Sequence, residues 1–204
     1  RSLAITLSAW RGLFKWMGVE GLIALNPSDG VRPPKAPRPL PKALSVDQAV
    51  ALAEHIDTDP AARAASPAAA TRAAREGPRL AARDHAIVEL LYGCGLRIGE
   101  LVGLDVAASG TARGWIDAQD GEAHVLGKGS KRRSVPVGQA ALAALARWLE
   151  QRATWAGDDA ALFIGSRGQR LTPQHIRVRL KRRSRLAGLA TPVHPHMLRH
   201  SFAS

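Results

Sequence analysis

The chain has 204 residues, 46% of them hydrophobic, enough for one sizeable core and a smaller unit. Lys and Arg number 29 against 17 Asp and Glu, a formal charge of +12, so a polyanionic partner is expected; nucleic acid leads because released counterions drive such binding. No apolar run approaches the roughly 20 residues of a membrane helix, and the cations are spread along the chain, which sets a membrane partner aside.

The single cysteine, Cys94, excludes an internal disulfide and fits a reducing, cytoplasmic compartment. No leader of basic, apolar and small residues is visible, and both ends are expected to be cuts rather than natural termini.

In chain order, Leu3, Leu7, Trp10, Phe14 and Met17 recur at helical spacing and predict an amphipathic helix ending near Gly18 or Gly21. Residues 32–41, RPPKAPRPLP, hold too many prolines for a regular helix and read as an extended, basic linker. Ser45 and Gln48 form a capping box that starts a helix running to about His55. Residues 57–79, rich in Ala, Arg and Pro without an apolar face, read as a loose insertion with at most a short helix. Arg83–Tyr92 is helical again; Gly93 and Gly95 end it, and Ile98, Leu101, Val102 and Leu104 begin another. Trp115–Asp117, Ala123–Leu126 and Arg133–Val137 read as three strands of a meander with a basic tip at residues 127–131. Helices are expected at about 139–152, 172–187 and 195–204, with Pro173 and Pro195 at first helical positions. The five tryptophans read as core or rim aromatics. The expected fold is mainly α with a small antiparallel β-sheet.

Four segments carry chemistry. In HPHMLRH, residues 194–200, His196, Arg199 and His200 fall at i, i+3 and i+4 and share one helix face. Such cations repel unless an anion sits among them. A phosphate suits a chain this basic, and guanidinium forks match its oxygens. Arg97 follows a glycine-rich turn that can aim a side chain outward. Lys128 sits on a glycine-flanked tip, an arm able to reach a substrate. The basic linker offers Lys35 and Arg38. The runs Lys131-Arg132-Arg133 and Lys181-Arg182-Arg183 are expected to contact DNA backbone. Zinc is set aside because Met197 stands where a zinc-protease helix needs Glu after its first His. Gly127-Lys128-Gly129 lacks the Ser or Thr of a nucleotide-binding loop, and no cofactor is expected.

PKAPRPLPK (34–42), GLRIGELVGL (95–104), GKGSKRRSVPVG (127–138) and HPHMLRHSFA (194–203), in this order, resemble the tyrosine recombinase (phage integrase) family, Xer type most closely. The resemblance covers the chain apart from 57–79. It implies a remnant of an N-terminal helical core-binding domain at 1–31, a linker at 32–44 and a catalytic domain at 45–204. It implies that Arg97 and Arg199 are the two catalytic arginines, Lys128 the hairpin lysine and His196 the histidine of the His-x-x-Arg pair, with Glu100 and His200 in support. The family cuts DNA with a tyrosine that forms a 3′-phosphotyrosyl link and frees a 5′-hydroxyl, without metal or nucleotide. The implied partners are a double-stranded recombination site and a sister (XerD-like) recombinase in a heterotetramer, and the implied role is chromosome dimer resolution at cell division. The family's tyrosine is expected past Ser204. Tyr92, the one tyrosine here, reads as structural, so these residues alone are expected not to cleave DNA. A non-catalytic DNA-binding module and a phage or mobile-element integrase are the alternatives.

Overall fold

A computed structural model describes residues 2–32, 44–55, 66–127, 129, 131–155 and 159–202. The chain divides into two compact units, Arg1–Leu40 and Pro41–Ser204.

In the first unit, helix α1 spans Ser2–Val19, as the apolar spacing predicts. Its last turn closes where Leu22 donates to the Met17 carbonyl at 2.9 Å, over a Gly21 with φ of +70°. Trp10 packs on Phe14, their rings 5.3 Å apart. An Asx turn follows, in which Asn26 Oδ1 accepts from the Ser28 amide at 2.9 Å. The Arg11 guanidinium donates to the Val31 carbonyl. The linker residues Lys35 and Arg38 lie outside the described residues.

The second unit opens with α2 (Val46–Glu54), started by the expected Ser45–Gln48 capping box. Next comes α3 (Pro67–Gly93), a helix of 27 residues. The expectation of a loose stretch over 57–79 is corrected for its described part. Ser66 accepts from the Ala69 amide, Pro67 takes the first helical position, and the alanines carry the helix through Pro78 into the Arg83–Tyr92 segment. The N-terminal half of α3 is largely exposed, so it needs no apolar stripe and shows none.

Beyond α4 (Ile98–Val102), the strands β1 (Leu104–Asp105), β2 (Gly114–Asp117), β3 (Glu122–Leu126) and β4 (Arg132–Pro136) form one sheet in the order β1-β2-β3-β4. The meander β2-β3-β4 is antiparallel as expected, whereas β1 pairs parallel with β2, so the sheet is mixed. Two residues are too few to show a period, which hid β1 from the sequence. Helices α5 (Gln139–Ala153), α6 (Pro173–Leu186) and α7 (Pro195–Phe202) complete the unit.

The core lies around the second half of α3, which buries Ala86, Ile87, Val88, Leu90 and Leu91. Trp148 of α5 is fully buried, stacks near Phe163 and donates from Nε1 to the Leu162 carbonyl at 2.8 Å. Charges also enter this core. Asp84 receives Arg83 Nη2 at 2.8 Å and Arg179 Nε at 2.7 Å, while Arg83 Nη1 reaches the Ile164 carbonyl. Burial alone would raise the Asp84 carboxyl's pKa. The two guanidiniums outweigh it and hold that pKa below the usual carboxylate value. Arg183 is buried too, donating to the Leu52 and Ala53 carbonyls at 2.6 and 2.7 Å, and so satisfies the open C-terminal end of α2.

Because Asp84 binds its proton more weakly folded than unfolded, its contribution is complete above the ordinary carboxylate range and is lost as pH falls below it. Asp84→Asn leaves the buried Arg83 and half-buried Arg179 guanidiniums without their counter-charge and is expected to cost about 3–5 kcal/mol in urea unfolding. The acid-side loss of stability is expected to shrink in that variant; an unchanged midpoint and acid profile would refute the assignment.

Candidate active site

The site begins at the end of α3. Cys94 caps the helix, and Gly95 takes φ of +56°, a left-handed backbone that other residues adopt only with strain. This reversal carries the chain through buried Leu96 to Arg97, the N-cap of α4. Glu100, one turn later, reaches back: its Oε2 accepts from the Arg97 amide at 2.8 Å and its Oε1 from Arg97 Nη1 at 2.9 Å. The N-terminus of α4 is thus satisfied by a carboxylate that also orients the arginine side chain. About half of the Arg97 side chain stays exposed, while Glu100 is buried.

Helix α7 supplies the second group. Pro195, Met197 and Leu198 are buried, which fixes the helix rotation and leaves His196, Arg199 and His200 on the outward side. The Arg199 guanidinium donates to the Gly95 carbonyl, so the same turn that aims Arg97 also holds Arg199. Phe202 covers Gly95 so closely that a Cβ there would lie 2.5 Å from its ring. At the other side of α7, Ser201 Oγ accepts from the Leu44 amide at 2.8 Å.

A third arginine joins them. Arg133 of β4 donates from Nη2 to Glu100 Oε2 at 2.9 Å. Burial alone would raise the Glu100 pKa; the Arg97 amide and the Arg97 and Arg133 guanidiniums outweigh it and lower that pKa. Partial burial lowers the Arg199 pKa, repulsion from Arg97 and Arg133 adds to this, and Glu100 opposes it. Three guanidiniums therefore surround one carboxylate within electrostatic range, leaving the cluster net positive.

The structure brings Arg97, Glu100 and Arg199 together, with His196 and His200 exposed on the same helix as Arg199. Lys128 lies outside the described residues. Lys131 is exposed beside the tip, and Arg132 is committed to its own sheet: it donates to the Ala112 carbonyl at 3.0 Å and lies over the Trp115 ring at 5.2 Å. Arg133, expected on DNA backbone, is paired with Glu100. Alternation along β4 carries the signal for this, because Arg133 shares its side of the strand with buried Val135, and Ser134 and Pro136 point the other way. Lys181 and Arg182 are exposed on α6, as a backbone contact requires, but Arg183 is buried on α2 carbonyls, which corrects its expected DNA contact.

Gly95→Ala forces a side chain into the left-handed region and against Phe202, and is expected to cost more than about 1 kcal/mol. Gly93→Ala, at the exposed end of α3 with open space around its Cβ, is expected to change stability little. Thermal unfolding of the two variants side by side checks the contrast; equal midpoints would remove the close-packed turn from the account.

Comparison with known proteins fits this geometry. The phage integrase family profile matches residues 67–204. The tyrosine recombinase XerC of Ralstonia pickettii (strain 12J) is 48% identical over 215 residues, an alignment covering all of this chain and 60% of that protein. The tyrosine recombinase XerC of Pseudomonas aeruginosa (strain LESB58) is 43% identical over 204 residues, covering all of this chain and 59% of that one. The chain thus spans about 60% of the length of these curated relatives. Among solved structures, the XerA recombinase superposes with a TM-score of 0.60 at 27% identity, over 84% of this chain and 51% of that one. A lambda integrase dimer bound to a COC′ core site superposes with a TM-score of 0.65 at 17% identity, over 98% of this chain and 50% of that one, a likeness of fold alone. The matched profile reaches from α3 through the Arg97 turn and the hairpin to α7, and the chain belongs to the phage integrase family of tyrosine recombinases.

Proposed function

We propose that the protein carrying this chain performs site-specific recombination of double-stranded DNA, by transesterification through a 3′-phosphotyrosyl intermediate, as an Xer-type recombinase. The observation that carries the proposal is the joining of Arg97 and Arg199 across the Gly95 turn. A phosphodiester under attack gains negative charge on its non-bridging oxygens. Two guanidiniums fixed beforehand on Glu100 and on the Gly95 carbonyl stabilise that charge without reorganising. Arg97 and Arg199 are assigned to these oxygens. Lys128 is assigned to protonate the leaving 5′-oxygen, and His196 to proton handling near the nucleophile and phosphate. The bond energy is held in the phosphotyrosyl link, so the freed 5′-hydroxyl of the partner strand can attack it and rejoin DNA without metal or nucleotide.

The partner assignment follows the curated relatives, which are named XerC. A sister, XerD-like recombinase would complete a heterotetramer on the DNA, and the cellular role would be resolution of chromosome dimers in the cytoplasm at division. The formal charge of +12 and exposed Lys131, Lys181 and Arg182 support contact with DNA backbone.

Within these 204 residues Tyr92 is the one tyrosine. It is half-buried at the end of α3 and packed against the core, which favours a structural role. The 204-residue chain is therefore proposed to bind DNA without cutting it.

Nicked suicide substrates test both statements. The 204-residue chain is expected to give no covalent adduct; an adduct mapped to Tyr92 would overturn the reading of that residue. In the full-length gene product, Arg97→Ala or Arg199→Ala is expected to slow covalent-complex formation by about 10²–10³ while leaving most DNA affinity in place. Cleavage at the parent rate in either variant would sink the assignment.

A further inference from the structure

The hairpin tip is gripped at its neck from both faces of the sheet. The ladder between β3 and β4 ends toward the tip at the pair Leu126–Arg132, and the Gly127 amide donates to the Lys131 carbonyl at 2.8 Å, closing the neck. The tip residue Lys128 itself lies outside the described residues, but it follows Gly127 directly in sequence. On the outer face, Arg132 is fastened to the Ala112 carbonyl and the Trp115 ring. Trp115 in turn stacks on His124, ring centroids 4.7 Å apart, and His124 Nδ1 shares a hydrogen bond with Ser134 Oγ at 2.9 Å. On the inner face, Arg133 is fastened to Glu100, the carboxylate that also orients Arg97. Two arginines adjacent in sequence thus pull in opposite directions on one short strand, and the inner one ties the neck to the arginine cluster.

We infer that Arg133 is a positioning residue: through Glu100 it sets the place of the hairpin neck relative to Arg97 and Arg199, and Lys128 follows that neck directly in sequence. This rests on the function proposed above. Glu100 is the point of attachment. Its Oε2 accepts from both the Arg97 amide and Arg133, and burial makes an unmatched charge there costly. Arg97 keeps two contacts of its own with Glu100, from its amide and its guanidinium, so loss of Arg133 releases the neck while Arg97 stays held. With one guanidinium nitrogen on Glu100 and the strand backbone behind it, Arg133 works as a tether; the phosphate is assigned to Arg97 and Arg199.

The chemistry of the leaving group separates this role from direct phosphate binding. In cleavage, the tyrosine hydroxyl gives its proton to the base assigned at His196 and its oxygen bonds to phosphorus, while the bond from phosphorus to the 5′-oxygen breaks and that oxygen takes a proton from Lys128. If a sulfur replaces the bridging 5′-oxygen, the departing thiolate needs no proton, because a thiol ionises near pH 8.5. Damage to the tip lysine's placement is then bypassed, whereas damage to the phosphate grip is not.

The experiment uses the full-length gene product on two suicide substrates differing only in that atom. Arg133→Gln is expected to cleave the ordinary substrate about 10²-fold more slowly and the sulfur substrate within about threefold of the parent. Arg97→Ala is expected to be slow on both. If Arg133→Gln does not fold, Arg133→Lys, which keeps the charge but loses the fork, is read in the same way, with a smaller defect on the ordinary substrate and none on the other. Equal slowing on both substrates, or no slowing on either, overturns the positioning role. A parent protein that cleaves neither substrate instead overturns the recombination reading beneath it. Hydrogen exchange gives a readout independent of cleavage: in the 204-residue chain, Arg133→Gln should speed exchange of the Gly127 amide, and an unchanged rate there would also count against the tether.

Discussion

Glu100 carries a negative charge where little water reaches it, and three donors meet it there: the Arg97 amide, the Arg97 guanidinium and the Arg133 guanidinium. A carboxylate in such a place is tolerable only if its partners replace the lost hydration. The dependence also runs the other way. Arg97, Arg133 and Arg199 crowd one region and repel, and Glu100 is the group that opposes the loss of charge on Arg199. Without the carboxylate, the N-terminus of α4 loses its cap, the hairpin loses its inner anchor, and the guanidiniums have reason to turn toward water. Helix start, sheet position and arginine direction are thus set by one side chain.

The remaining architecture places the backbone around that carboxylate. The buried half of α3 is the fixed base, and the Gly95 reversal at its end projects α4. Helix α7 packs back on α3 through Met197 and Leu198, and Phe202 settles on the one residue that leaves it room. Arginines serve elsewhere as fasteners: buried Arg83 and half-buried Arg179 on Asp84, and buried Arg183 on the last carbonyls of α2. A chain with so many cations therefore uses them in two ways. Some saturate acceptors that burial would otherwise leave open. Others, such as Lys131, Lys181 and Arg182, stay at the surface, where a polyanion can be met.

This double use explains what the sequence disclosed and what it hid. Arg97 and Arg199 were legible because local rules place them, a glycine turn before one and an i, i+3, i+4 face for the other; Glu100 was named from the family resemblance alone, and its capping of α4 went unread. The meander and the Ser45 cap were legible from local rules too. The length of α3 was not, because its exposed half buries no stripe and periodicity has nothing to report. Nor was the second partner of Glu100. Arg133 lies 33 positions away, and within a run of three cations its charge invites a phosphate reading. Only the alternation with Val135 separates it from Arg132, and that signal speaks of strand face, not of partner. Arg183 was misread in the same way: neighbouring Lys181 and Arg182 are exposed, and the helical turn that buries Arg183 beside α2 depends on a tertiary contact.

The same reasoning bears on why a guanidinium tether suits the hairpin. An apolar contact at the neck would hold the strand equally well, but it would be indifferent to the state of the arginine cluster. A charge shared through Glu100 is not indifferent. Were a phosphodiester to bind Arg97 and Arg199 as proposed, its negative charge would offset the mutual repulsion of the guanidiniums, and the carboxylate would no longer have to balance them alone. The field at Arg133 would then change along with that at Arg97. Hairpin and cluster would therefore respond to the same event. That is the arrangement expected where the group that protonates a leaving oxygen must arrive together with the groups that hold the phosphate.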